Sequence, residues 1–131
     1  MLMGFLILVL MEEMGFQMCI RDRNTTEADG VISTKPGIIK QARELGLFAV
    51  IRFFVIDSIA FESIRRQTES VHPDMIEVLP GVMPKIIAKI CTHSRTPVIA
   101  GGLIADKEDI VAALSAGAVS ISTTNQKVWF M

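Results

Sequence analysis

The chain has 131 residues, half of them hydrophobic, and its 13 basic and 14 acidic side chains give a formal net charge of −1. This length is enough for one domain with a core of its own and too short for two. A net charge near zero argues against a protein that binds nucleic acid by bulk electrostatic attraction, so any RNA-binding surface must be a local patch. Cys19 and Cys91 lack the spacing of a zinc site or of a disulfide framework, which is consistent with a reducing cytosol.

The N-terminal segment differs from the rest of the chain. It begins with an apolar run of ten residues, shorter than the roughly 20 residues that a membrane-spanning helix needs. It lacks the basic start and the small-residue cleavage site of a secretory signal. Met18–Arg23 resembles a hexapeptide that recurs as translated adapter sequence in short-read assemblies. We therefore set residues 1–23 apart from the domain formed by residues 24–131, with an assembly artefact as one explanation, and expect no membrane association.

Short apolar runs rich in Val, Ile and Phe alternate with helical patterns after Asn24. Such runs are typical of strands that are buried on both faces. Strict alternation of strand and helix indicates parallel βαβ units, so the predicted fold class is α/β. The predicted strands are Val31–Ser33, Phe48–Phe54, Met75–Leu79, Pro97–Ala100 and Val119–Ser122.

Capping residues and glycines mark the predicted helix ends. The pair Asp57-Ser58 is expected to cap the second helix and Asp106 the fourth, and Pro84 fits the first position of the third helix. Gly46 and Gly117 are expected to end the first and fourth helices. The helix faces predicted to pack on the sheet contain Ile38, Ile39, Ala42, Leu45, Ile59, Ala60, Ile64, Ile86, Ile87, Ile90, Cys91, Ile110, Val111, Ala113 and Leu114.

The loops after the predicted strands favour a barrel over an open sheet. Each carries small or polar residues, the GxGxxG fingerprint is absent, and no single loop dominates as it would at the switch point of an open sheet. Polar groups at the carboxyl ends of all the strands are typical of a TIM-type (β/α) barrel. Because five predicted strands are fewer than the eight of a complete barrel, we expect open edges near Val31 and Ile121.

The last two predicted strands end in loops suited to an anion. Gly101 and Gly102 lack side chains, so an anion can approach their backbone N–H groups closely. Ser122, Thr123 and Thr124 add hydroxyl donors on the neighbouring loop. Phosphate-binding barrels place the anion on the loops after their last two strands, which predicts a phosphate site here. The alternative is that the glycine pair is only a turn and the hydroxyl run only a helix cap.

Charged residues interrupt two of the apolar strands. Arg52 lies within the Phe48–Phe54 run and Glu77 within Met75–Leu79, and an unpaired buried charge is costly, so we predict that they form a pair. The pair is either an ion pair that ties two strands together or the polar floor of a site for a small polyol or phosphate. Lys35 follows its strand closely enough to reach the barrel mouth. Surface positions are predicted for His72, His93, Lys40, Arg43, Arg65, Arg66, Lys85 and Lys89, with RNA contact as a minority hypothesis for the cations.

Three segments resemble the C-terminal two-thirds of the glycerol-3-phosphate-responsive antiterminator family. The similarity runs from about Ala28 to Trp129 and includes the motifs ISTK, Arg-Phe-Phe leading into Asp57-Ser58, IEVLPG, IAGG and STTN. The resemblance implies a cytoplasmic regulator with a TIM-barrel-like fold that binds glycerol 3-phosphate and needs no cofactor, metal or catalytic residues. Its bound form is expected to act on the leader of glycerol-utilisation messenger RNA and to prevent early termination. The residues that it implicates at the barrel mouth are Lys35, Arg52, Asp57, Glu77, Gly101, Gly102, Ser122 and Thr123.

Two departures from the family pattern affect these expectations. Many relatives have Gln just before the strand arginine, where this chain has Ile51; the change either alters a polar contact near the site or is a harmless substitution in the barrel wall. The family's first three strands have no match in residues 1–23, so the chain is expected to supply only the last five β/α units. The ligand contacts of the missing strands would then be absent, and we expect weak binding or none.

Two other hypotheses remain open. The first is a phosphate-binding isomerase or epimerase that acts on a sugar phosphate, for which Glu77, Asp57 and Lys35 are the candidate acid–base residues. The absence of a His or Cys at the predicted mouth and the specificity of the motifs argue against it. The second is a truncated reading frame without function.

Overall fold

The computed structural model describes residues 9–11 and 30–123. The strands are β1 (Val9–Met11), β2 (Gly30–Ser33), β3 (Phe48–Phe54), β4 (Met75–Leu79), β5 (Val98–Gly101) and β6 (Ser120–Ser122). The helices are α1 (Pro36–Glu44), α2 (Ser58–Val71), α3 (Pro84–His93) and α4 (Lys107–Ser115). None of the helices in these two ranges is both long enough and apolar enough to cross a membrane.

The strands form one parallel sheet whose spatial order follows the chain, β1-β2-β3-β4-β5-β6. An open doubly wound sheet reverses its strand order at a switch point, whereas a (β/α) barrel adds each strand beside the previous one. The order therefore confirms the α/β class and is that of a TIM-type barrel. The predicted bounds of β3 and β4 are correct, and those of β2, β5 and β6 differ by one residue at one or both ends.

The N-terminal edge of the sheet differs from the prediction. Val9–Met11 pairs in parallel with β2, with Val9 opposite Gly30 and Met11 opposite Ile32. The prediction of an open edge near Val31 was therefore wrong, because an apolar tripeptide can satisfy the hydrogen-bonding edge of a strand whatever its origin. The rest of residues 1–23, including the adapter-like Met18–Arg23, lies outside the described residues, and its interpretation as an artefact stays a prediction.

Side-chain caps begin two of the helices as predicted. The Asp57 carboxylate accepts a hydrogen bond from the Ala60 N–H at 2.8 Å. The Asp106 carboxylate accepts one from the Asp109 N–H at 2.9 Å. Each bond satisfies a backbone donor in the first helical turn that has no partner within the helix. Pro84 occupies the first position of α3, as expected.

The two faces of the sheet are packed differently. One face is covered by the helices, and its largest cluster joins Ala49, Ile51 and Ile76 of the strands with Ile39 and Ile64 of the helices. The other face holds a small apolar cluster made by strand residues alone: Ile32, Val50 and Ile99, with Phe48 and Met75 at its border. Because side chains alternate along a strand, this second face also carries Arg52, Glu77 and Gly101. It is the face that a barrel encloses.

Four residues predicted to pack on the sheet are exposed instead: Leu45, Ile59, Val111 and Leu114. Ile59, with 78% of its surface exposed, is the clearest case. It lies five positions before the buried Ile64, which at about 100° per residue places it roughly 140° away around α2. Ala60 and Phe61, at four and three positions before Ile64, occupy the packed face. The sequence prediction was therefore wrong to include Ile59 in the face of α2 that packs on the sheet.

Candidate functional site

Arg52 and Glu77 form the predicted pair on the enclosed face of the sheet. They are register partners on β3 and β4. The Nε of Arg52 donates a hydrogen bond to Oε1 of Glu77 at 2.9 Å, and its terminal nitrogen Nη2 lies 2.9 Å from the same oxygen. The side chain of Glu77 is 1% exposed and that of Arg52 is 16% exposed. Charge interruptions in two apolar runs thus correctly predicted a contact across neighbouring strands.

The pair lies between two apolar layers. Towards the amino ends of β3 and β4, Val50 is paired with Met75, and towards the carboxyl ends Phe54 is paired with Leu79. Alternation places all four side chains on the same face as the ion pair. A charge pair enclosed in this way is poorly screened by solvent, so its attraction is stronger than that of a surface pair.

The Glu77 carboxylate has one oxygen without a partner. Nε and Nη2 of Arg52 both contact Oε1, and within the part of the chain that the structure describes the buried Oε2 accepts no hydrogen bond. A buried acceptor without a partner costs about 1–3 kcal/mol. Burial raises the pKa of the Glu77 carboxyl above its ordinary value, and the nearby Arg52 guanidinium only partly opposes this effect. The sequence predicted the pair, but it gave no signal for the unsatisfied oxygen.

Gly101 provides the space that the Glu77 carboxylate occupies. A Cβ atom at Gly101 would lie 3.1 Å from Oε1 of Glu77, 3.3 Å from its carboxyl carbon and 3.3 Å from the Cβ of Ser122. Gly101 and Ser122 are register partners on β5 and β6. The glycine therefore brings the backbone of β5 against the carboxylate and beside a hydroxyl-bearing residue.

The loops after β4 and β5 are packed against each other through glycines. The Gly81 N–H donates to the carbonyl of Gly102 at 3.0 Å. A Cβ at Gly81 would lie only 2.8 Å from the Gly101 nitrogen and 2.9 Å from the Gly101 oxygen. Gly102 has a φ of +81°, a left-handed conformation that favours glycine, and it packs on Leu79. The proximity of Gly81 to the predicted anion loop was not foreseen from the sequence.

Leu103 is a further feature of this edge that the sequence analysis missed. It has a φ of +61° and is 76% exposed. An exposed leucine in the left-handed region is strained, and strained residues occur frequently at binding sites. The only sequence signal was its position directly after the Gly101-Gly102 pair.

The hydroxyl-bearing residues of the loop after β6 lie beside the glycines. Ser122 ends β6 opposite Gly101, and the Thr123 hydroxyl donates a long hydrogen bond of 3.5 Å to the Ile104 carbonyl in the loop after β5. The two loops of the predicted phosphate site are thus adjacent. Thr124 and Asn125, which complete the STTN motif, lie outside the described residues.

Lys35 and Asp57 lie at the same edge of the sheet, in the loops after β2 and β3. Both are exposed, and Lys35 precedes α1, where its backbone N–H donates to the Ser33 hydroxyl at 2.9 Å. Asp57 uses one carboxylate oxygen to cap α2. Parallel strands bring these loops to the edge of the sheet at which the strands that carry Arg52 and Glu77 also end. Their role at a mouth stays a prediction.

The remaining sequence predictions concern the helix surfaces and Ile51. His72, His93 and the six helix cations are exposed as expected, with Arg43 also bound to Asp74 at 2.6 Å. Ile51 is fully buried on the helix-covered face, so it points away from Arg52 and belongs to the barrel wall. In the ranges that the structure describes, no group of three or more His, Cys, Asp or Glu side chains is placed to hold a metal ion.

Solved structures with similar folds include two antiterminator-related proteins and FabK. A glycerol uptake operon antiterminator regulatory protein from Listeria monocytogenes has a TM-score of 0.78 and 36% identity, with 85% of this chain and 60% of that chain covered. A glycerol uptake operon antiterminator-related protein from Thermotoga maritima has a TM-score of 0.69 and 39% identity, with 79% and 59% covered. FabK from Thermotoga maritima has a TM-score of 0.62 at 17% identity, with 88% of this chain and 39% of that chain covered, a likeness that shows the fold alone.

Sequence comparison identifies the family. The protein YgcP of Escherichia coli (strain K12) is 50% identical over 104 residues, which cover 79% of this chain and 54% of YgcP. The chain thus spans little more than half the length of its relatives. Residues 22–129 match the family model described as "Glycerol-3-phosphate responsive antiterminator". The similarity expected from the motifs is confirmed, and the chain belongs to the glycerol-3-phosphate responsive antiterminator family.

Proposed function

We propose that this chain binds glycerol 3-phosphate at the carboxyl ends of its strands, only weakly because the family's first three strands have no match in it, and that it acts as a regulator of transcription, not as an enzyme. The observation that carries the proposal is the adjacency of Gly101 and Ser122, next to the loop glycine Gly102. Backbone N–H groups and hydroxyls are effective donors to phosphate oxygens. In the proposed complex the phosphate accepts hydrogen bonds from the Gly101-Gly102 backbone and from the hydroxyls of Ser122 and Thr123.

The charges at the carboxyl ends of the strands favour a ligand that has an anionic group and, next to it, neutral polar groups such as hydroxyls. Arg52 and Glu77 together are neutral and form the floor of the proposed site. Lys35 supplies a positive charge from the loop after β2, and Asp57 borders the mouth while it caps α2. No cofactor or metal takes part in this proposal.

Regulation requires that the ligand favour one conformation over another. We propose that the ligand-bound chain acts in the cytoplasm on the leader of glycerol-utilisation messenger RNA and prevents early termination. A ligand shifts a conformational equilibrium only through different affinities for the two states. Because linkage is reciprocal, the leader RNA should tighten glycerol 3-phosphate binding by the same factor by which the ligand tightens RNA binding. Electrophoretic shift assays with such a leader transcript, with and without ligand, test this step.

The phosphate site is tested by calorimetry with glycerol 3-phosphate and with glycerol. Ser122→Ala combined with Thr123→Val should weaken binding of the phosphate ester at least tenfold, about 1.4 kcal/mol. The matched control is Ser115→Ala, because Ser115 is exposed at the end of α4 and leads towards the start of β6, away from the site. Equal affinity of the wild-type chain for glycerol and for glycerol 3-phosphate would contradict the proposal.

A second candidate function is an isomerase or epimerase that acts on a sugar phosphate. It is favoured by one observation, the Glu77 carboxyl buried beside Arg52 on the enclosed face, because a buried carboxyl whose pKa is raised by burial is a candidate general base. Family membership favours the regulator. Incubation with glycerol 3-phosphate or pentose phosphates in deuterated water discriminates the two: incorporation of deuterium at carbon supports the enzyme, and ligand-dependent RNA binding without incorporation supports the regulator.

A further inference from the structure

The unsatisfied oxygen of Glu77 calls for a hydrogen-bond donor. Two of the three guanidinium nitrogens of Arg52, Nε and Nη2, contact Oε1, whereas no donor among residues 9–11 and 30–123 reaches the buried Oε2. The side chain is 1% exposed, so bulk water does not replace the missing donor. A pair that served only to tie β3 to β4 would be as well served by a guanidinium that engaged both carboxylate oxygens, the geometry that Arg and carboxylate commonly adopt. The one-sided contact leaves an acceptor available.

The position of Glu77 relates this acceptor to the proposed phosphate site. The carboxylate lies across the enclosed face, between Arg52 on β3 and the backbone of Gly101 on β5. The Cβ position of Gly101 is 3.1 Å from Oε1 and 3.3 Å from the carboxyl carbon to which Oε2 is bonded. Gly101 is in turn the register partner of Ser122. If the phosphate of a small molecule is held at Gly101-Gly102 and Ser122, the rest of that molecule therefore lies close to the side chain of Glu77.

The charge of the neighbourhood selects the kind of donor. The Arg52 guanidinium lies 2.9 Å from Oε1 and already balances the carboxylate, so a second cation would meet repulsion. A neutral hydroxyl donates one hydrogen bond without adding charge, and its bond to an ionised acceptor is strong. Polyol phosphates such as glycerol 3-phosphate present such hydroxyls on the carbon atoms next to the phosphate-bearing one and beyond.

We infer that Oε2 of Glu77 is the acceptor for a hydroxyl group of the ligand, which makes Glu77 the residue that distinguishes a hydroxylated phosphate ester from a plain alkyl phosphate. The inference rests on the proposed phosphate site. Since Oε2 is buried, the hydroxyl reaches it only when a covering side chain moves. Leu79 lies two residues beyond Glu77 on the same face, and it also packs on Gly102.

The test compares glycerol 3-phosphate with n-propyl phosphate, which has the same length and charge but no hydroxyls. Dissociation constants are measured by amide chemical-shift titration of the 131-residue chain, which detects millimolar binding. The wild-type chain should prefer glycerol 3-phosphate at least tenfold. In Glu77→Gln the amide oxygen can still accept from Arg52 while an NH2 group replaces the free acceptor, so the preference should fall to about threefold or less. The readout is the ratio of the two affinities, because the loss of the carboxylate charge beside Arg52 changes the affinity for both phosphate esters alike.

The outcomes separate this inference from the phosphate site itself. If neither ester shifts the amides of Gly101, Gly102 and Ser122, the phosphate site is wrong and the inference fails with it. If both esters bind with equal affinity, or if the preference survives in Glu77→Gln, the phosphate site stands and Glu77 is only a structural partner of Arg52. Water or an internal group then satisfies Oε2.

A second measurement does not depend on the stability of the variant. In the wild-type chain labelled with carbon-13 at glutamate Cδ, the Glu77 carboxyl resonance should move on addition of glycerol 3-phosphate and stay in place with propyl phosphate. Glu62, which is exposed on α2, is the internal control and should respond to neither. A Glu77 resonance that responds equally to both esters, or to neither, overturns the inference.

Discussion

Replacement of Gly81 by alanine should disrupt the edge of the sheet on which the proposed site is built. The added Cβ would lie 2.8 Å from the Gly101 nitrogen, 2.9 Å from the Gly101 oxygen and 3.0 Å from the Ala100 carbonyl carbon. The shortest of these is about 0.6 Å below the 3.4 Å at which ordinary contact begins. All three are backbone atoms, so the strain cannot be relieved by rotation of a flexible side chain.

The expected cost of Gly81→Ala is about 1–3 kcal/mol, the usual range for an extra carbon in a well-packed region. Urea unfolding followed by circular dichroism measures it, and glycerol 3-phosphate titration should show weaker binding because the Gly101-Gly102 backbone is displaced. The matched control is Gly37→Ala in α1, where nothing lies within 4 Å of the added Cβ. There alanine should stabilise the helix by roughly 0.5–1 kcal/mol. If the two variants were equally stable, the close approach between the loops after β4 and β5 would be wrong.

Three further predictions concern the enclosed face of the sheet, which carries Arg52 and Glu77, and the loop after β5, which carries Leu103. Arg52→Met should cost about 3–5 kcal/mol by leaving the buried Glu77 carboxylate unpaired, and the Arg52→Met/Glu77→Leu double variant should recover most of that loss in urea unfolding; additive losses would refute the pair. Leu103→Gly should raise the free energy of unfolding by roughly 0.5–1 kcal/mol, because relief of the left-handed strain exceeds the entropy cost of glycine; a lower melting temperature would count against this. The pKa of Glu77 is raised in the folded state, so the folded chain binds this proton more tightly and stability falls as pH rises just above the ordinary glutamate pKa of about 4.3. The stability of wild type relative to Glu77→Gln should therefore fall with pH across that window, and a difference that grew with pH would contradict the assignment.

The parts of the fold that depend on local patterns could be predicted from the sequence. The bounds of β3 and β4, the caps Asp57 and Asp106 and the position of Pro84 agree with the structure. Each has a cause within a few residues, such as a continuous apolar run or a side chain that satisfies a free backbone N–H. The Arg52–Glu77 pair could also be predicted, because the cost of a lone buried charge demands a partner.

The rest depends on how distant segments meet. The contact of Gly81 with Gly101 and the free oxygen of Glu77 arise from the relative position of neighbouring strand ends, which no local pattern encodes. The exposure of Ile59 reflects which side of α2 meets the sheet, and a helical pattern of Ile and Ala residues leaves that angle ambiguous. The strand Val9–Met11 was missed because residues 1–23 were set aside as a possible assembly artefact. Any apolar segment can pair with a strand edge, whether or not its sequence is an artefact.

The most direct test of the central proposal is a map of where glycerol 3-phosphate binds. Amide resonances of the nitrogen-15-labelled 131-residue chain are recorded during titration with glycerol 3-phosphate and, separately, with glycerol. The account predicts shifts concentrated at Gly101, Gly102, Ser122 and Thr123 with the phosphate ester, and none of comparable size with glycerol. Shifts that are absent, that are equal for the two compounds, or that fall on the helix-covered side at residues such as Ile51 would contradict it.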